Sequence, residues 1–226
     1  MEAAPAIDRI RLDIRLTPLQ ILTHAGAWVP FFVLLWDASR DQLTANPILE
    51  ATRRTGLAAL VLLILSLACT PLNVLFGFRQ AIKLRRPLGV YGLLYIGVHL
   101  FIFVVLDYGL DAGLIRDTII EQRFVLVGFA AFVLLLPLGI TSTKGWMKRL
   151  GRKWSLLHRL VYIAVPLGVV HYLWLVKADI RVPLQYGAVV ALLLFLRIPH
   201  VRRFFANLRY RLAPRLVMSP IRPANR

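Results

Sequence analysis

Residues 154–177, WSLLHRLVYIAVPLGVVHYLWLVK, form an apolar run of membrane-spanning length that carries two histidines, His158 and His171. Such a run specifies a transmembrane helix, because about 20 residues rising roughly 1.5 Å each cross the hydrocarbon layer. An imidazole inside that layer is costly unless something satisfies it, so each histidine is a candidate functional group. The thirteen-residue step between them is roughly 20 Å along the axis, which puts one near each bilayer face. That spacing suits two stacked redox groups.

The same pattern recurs along the chain. With 58% of its 226 residues hydrophobic, the sequence reads as an all-α membrane protein. Spans are predicted at 19–36, 55–73, 88–106, 124–140, 154–177 and 183–198. Together they make a six-helix transmembrane bundle within residues 17–198, flanked by an N-terminal arm at 1–16 and a basic tail at 199–226. Residues 37–54, 107–123 and 143–153 read as loops, and Pro71 and Pro137 as helix ends or kinks. The lone Cys69 lies in an apolar run and has no partner for an internal disulfide.

A formal charge of +17 raises the question of nucleic acid, but the distribution of charge answers it. The arm, the second and fourth loops and the tail with Arg197 hold 20 Lys and Arg against 3 acids; the other three loops hold 7 against 8. This is the positive-inside pattern, so both termini are expected in the cytoplasm and nucleic acid is not the expected partner. In the tail, arginines alternate with Phe, Leu and Tyr, which suits a helix on an anionic membrane surface or a solvated basic segment.

Four of the five histidines lie in predicted spans: His24, His99, His158 and His171. His99 is eight residues before Asp107 and His171 six before Lys177, so both lie roughly 9–12 Å below the outer boundary. Two imidazoles at one level can ligate a haem iron from both sides, leaving no open position and favouring electron transfer. His158, five residues beyond Lys153, lies near the inner face. His24, nine beyond Arg15, is its nearest partner in depth. On an ideal helix His158 and His171 point roughly 140° apart, with Pro166 between them. The competing reading is that each histidine only hydrogen-bonds a neighbouring helix. No cysteine or carboxylate accompanies them to complete a zinc or copper site.

Arg159, beside His158, is a candidate cofactor-binding cation, its alternative being to snorkel to the surface. Lys177, Tyr108 and Arg123 outside, and Arg85, Arg86 and Lys153 inside, are further candidates for holding haem propionates. No GxGxxG motif or nucleotide-binding segment is legible, so electrons are expected from another protein or carrier. No Asp or Glu lies mid-span to serve a proton relay.

Several motifs carry a family resemblance: Thr55-Gly56, CTPL at 69–72, RRPLG at 85–89, His99, TST at 141–143, LGRKWSLLHRLVY at 150–162 and HYLWLVK at 171–177. The chain resembles the ferric reductase-like transmembrane family, in its MsrQ (YedZ) branch of haem-binding membrane subunits, from about residue 17 to 211. The resemblance implies haem b on His99, His158 and His171, and an associated FMN for which no motif is legible. It also implies a place in the bacterial inner membrane, passing electrons from a cytoplasmic flavin reductase or the quinone pool to a periplasmic molybdopterin-containing methionine sulfoxide reductase. Such a protein is an electron-transfer subunit of a protein-repair system rather than a self-contained catalyst. Related oxidases carry a second histidine on the third helix at the inner level, where this chain has Arg85 and Arg86. The rival class is a small solute or ion transporter with structural histidines, against which the absence of an inverted repeat weighs.

Overall fold

The computed structural model describes residues 17–176 and 178–212, with side chains to residue 209; the expected arm at 1–16, Lys177 and the tail beyond 212 lie outside the described residues. All regular structure within them is helical. α1 (Pro18–Ser39) opens on a capping box between Thr17 and Gln20, with Pro18 in the first turn, where a missing N–H has no partner to lose. α2 (Pro47–Phe76) starts similarly, Asn46 accepting from the Leu49 N–H, and ends on Gly77 at φ 70°, a left-handed conformation glycine adopts freely. α3 (Arg79–Phe101) continues into a π turn at Ile102–Asp107. There follow α4 (Ala112–Glu121), α5 (Arg123–Ile140), α6 (Lys144–Leu150) and α7 (Arg152–Leu157). A 3₁₀ turn at His158–Leu160 joins α7 to α8 (Val161–Leu175), and α9 (Arg181–Phe195) and α10 (Pro199–Leu212) complete the chain.

Five helical stretches are long and apolar enough to cross a membrane, and α9 with α10, bent by 76°, form a sixth candidate. The chain is therefore a multi-pass membrane protein. Several helices run beyond their expected bounds. α2 begins at Pro47 rather than residue 55, started by the Asn46 cap, and Arg54 within it pairs with Glu50 one turn back and with Asp37. α3 takes in the basic stretch from Arg79, and the expected loops at 107–123 and 143–153 contain α4, α6 and α7.

Pro71 and Pro137 end neither of their helices. At Pro71 the reason is visible: the carbonyl four residues earlier, Leu67, accepts from Arg197 Nη2 at 2.6 Å. A neighbouring side chain thus satisfies the group the proline leaves free.

α2 is the centre of the bundle. Half of its apolar stretch is buried, whereas α1 is mostly exposed. One side of α2 packs Leu60, Leu63 and Leu67 against Leu135 of α5, Val165 of α8 and Val190 of α9. The other packs Ala58, Ala59 and Leu62 against Ala27 of α1 and Leu88 and Tyr95 of α3. The outward side chains of α1, including Ile21, Leu22, Phe32 and Trp36, are exposed and apolar, as a lipid-facing helix requires.

The two most extensive helix pairings, α2 with α3 and α5 with α8, are copies of one hairpin. At an offset of 72 residues, GLAALVLL at 56–63 aligns with GFAAFVLL at 128–135, and His99 then aligns with His171 without a gap.

Candidate functional site

His99 comes from α3 and His171 from α8, and their ring centroids lie 6.2 Å apart with planes at 89°. Each imidazole is tied to the partner helix of its own hairpin. His99 Nδ1 is 2.9 Å from the Thr52 carbonyl on α2, and His171 Nδ1 is 2.6 Å from the Phe124 carbonyl on α5. A carbonyl only accepts, so Nδ1 carries the proton in both rings and the lone pair is left on Nε2. This is the tautomer that a metal-ligating histidine needs, held by the type of second partner such ligands use.

The spacing can be tested against a metal. Two imidazoles on opposite sides of one ion, with bonds of about 2.0 Å and ring centroids roughly 1.1 Å behind the nitrogen, have centroids roughly 6.2 Å apart. The observed separation matches. Among the described residues no cluster of three or more His, Cys, Asp or Glu accompanies the pair. Two axial nitrogens with no further protein donor suit an ion whose other positions are filled by a macrocycle.

Room for the rings is made by glycine. A Cβ on Gly56 would stand 3.1 Å from His99 Nδ1, and one on Gly128 only 2.6 Å from His171 Nδ1. In the sequence Gly56 stands out only as part of the Thr55-Gly56 motif and Gly128 not at all; the 72-residue repeat is the signal that finds both. Thr52 and Phe124 stand four residues before these glycines, so the two seats are alike down to the accepting carbonyl.

Around His158 a cavity of about 210 Å³ is lined by Arg85, Trp154, Ser155, His158, Arg159 and Tyr162. His158 stacks on Trp154 at 3.9 Å, and its Nδ1 is 3.1 Å from the Trp154 carbonyl. Its Nε2 is buried and, among the described residues, has no hydrogen-bond partner. The 3₁₀ turn at His158 breaks the uniform helix on which the expected angle to His171 was reckoned. Arg159 is exposed at the rim of this cavity. His24 lies elsewhere, in the α1–α3 contact, with Nδ1 3.0 Å from the Tyr91 hydroxyl. Of the outer candidates for a propionate, Arg123 is exposed, and the Tyr108 hydroxyl accepts from Thr118.

The family described as ferric reductase like transmembrane component matches residues 55–169, taking in Gly56, His99, Gly128 and His158 and stopping just short of His171. The chain is 44% identical over 183 residues to the protein-methionine-sulfoxide reductase heme-binding subunit MsrQ of Xanthomonas axonopodis pv. citri (strain 306), covering 78% of this chain and 84% of that protein. It is 41% identical over 187 residues to the subunit of that name from Herminiimonas arsenicoxydans, covering 81% and 86%.

Proposed function

The chain belongs to the ferric reductase-like transmembrane family, in the branch of the MsrQ subunits, and from that premise we propose that it is a haem b electron-transfer subunit. In this reading it serves a methionine sulfoxide reductase that repairs oxidised proteins. The observation that carries the reading is the pairing of His99 and His171 at 6.2 Å, each with its Nε2 lone pair free. An iron porphyrin held by two imidazoles exchanges single electrons while offering no open position to oxygen. The chain's part is to hold both rings by the Thr52 and Phe124 carbonyls and to surround them with apolar helices that keep water out.

His158 and Arg159 are proposed to bind a second redox group, a haem or the FMN of the family resemblance, in the inner cavity. The unpartnered Nε2 of His158 supports this. His24, its Nδ1 held at the Tyr91 hydroxyl, is proposed as the partner through its Nε2. The protein crosses the bacterial inner membrane six times with both termini in the cytoplasm, α9 making the shortest crossing. Electrons enter from a cytoplasmic flavin reductase or the quinone pool and leave to a periplasmic molybdopterin-containing subunit. The absorption spectrum of the purified, haem-replete protein tests the reading. Reduction by dithionite should give the sharp Soret and α bands of low-spin haem, and a featureless spectrum overturns the proposal.

A further inference from the structure

We propose that Gly56 and Gly128 are positioning residues, and that they hold the imidazoles of His99 and His171 in line for ligation from two equivalent seats. The inference rests on the haem reading above and adds to it the element that sets ligand geometry.

Each glycine precedes its histidine by the same interval, 56 to 99 and 128 to 171. In both copies the Cβ that glycine lacks would meet the same three ring atoms, Nδ1, Cε1 and Cγ. In both, Nδ1 bonds the carbonyl one helical turn before the glycine. In a regular helix that carbonyl also accepts from the glycine's own N–H, so the ring must approach the backbone closely to share it. Any side chain at the glycine would stand in that approach. The clearance differs between the copies: at Gly56 a few tenths of an ångström of ring movement suffices, whereas 2.6 Å at Gly128 forces His171 to move. Gly26 and Gly97, also in the helices, have nothing within 4 Å of the added Cβ and serve as controls.

The test uses the full-length, haem-loaded protein and reads carbon monoxide binding and midpoint potential. A haem held by both imidazoles does not bind carbon monoxide when reduced, whereas one that has lost an axial ligand does. Gly128→Ala should convert most of the haem to the carbon monoxide-binding form. Gly56→Ala should convert a smaller fraction or shift only the potential, and Gly26→Ala and Gly97→Ala should match wild type. If Gly128→Ala does not accumulate, Gly56→Ala decides, since its clash is mild. Wild-type behaviour in every glycine variant that accumulates at 56 and 128, or equal carbon monoxide binding in the controls, overturns the positioning role alone. A wild-type protein with no haem signal overturns the functional reading and this inference with it.

Discussion

The Tyr95 hydroxyl stands between the two backbone groups that a regular turn of α1 would pair, donating to the Ala27 carbonyl at 2.8 Å while the Phe31 N–H donates to it at 3.0 Å. Tyr95 is 3% exposed, so this one oxygen pins α1, beside Pro30, to α3.

Tyr95→Phe should therefore lower stability by about 1–3 kcal/mol, the cost of leaving buried polar groups without a partner. Thermal unfolding in detergent measures it. An unchanged midpoint would mean that Phe31 and Ala27 close on each other once the hydroxyl is gone.

Arg197 offers a sharper test because its role depends on a proline. Arg197→Leu leaves the Leu67 carbonyl open and should destabilise by about 1–3 kcal/mol. Adding Pro71→Ala restores an N–H that can reach Leu67, so the double variant should recover much of the loss. Strict additivity of the two substitutions would refute the linkage.

The paired seats predict equal consequences for the two outer histidines. His99→Ala and His171→Ala should each abolish the low-spin haem signal of that level. His158→Ala should leave it intact and change only a second component of the redox titration. A His171→Ala protein with the wild-type spectrum would remove the pair from the ligand set.

Arg209 donates to the Asn73 and Val74 carbonyls at the C-terminal end of α2, where, among the described residues, Asn73 otherwise accepts only from the Gly77 cap. Arg209→Ala should free α10 from α2, read as faster proteolysis within residues 199–212 with the rest of the bundle protected. Unaltered cleavage would show that α10 is held by its apolar side chains instead.

Much of the fold is legible in residue types. Apolar runs mark the spanning helices, and counting from Asp107 and Lys177 puts His99 and His171 at one level. Helix bounds were less legible. Arg54 and the basic stretch from Arg79 look like loop until their partners and their surroundings are known. The glycine seats were hidden for a related reason. A glycine in a helix is ordinary, and only the ring packed against it makes Gly128 special.

By itself the sequence determined that the chain is helical and membrane-embedded, because hydropathy reports the transfer of each side chain out of water and needs no neighbour to do so. It also contained the repeated hairpin that places two histidines in matching positions. Which nitrogen of each ring is free, and that Arg197 answers the Leu67 carbonyl left open by Pro71, were decided only by tertiary structure. Those outcomes depend on hydrogen bonds between groups far apart in the chain, whose direction no pattern of polarity encodes.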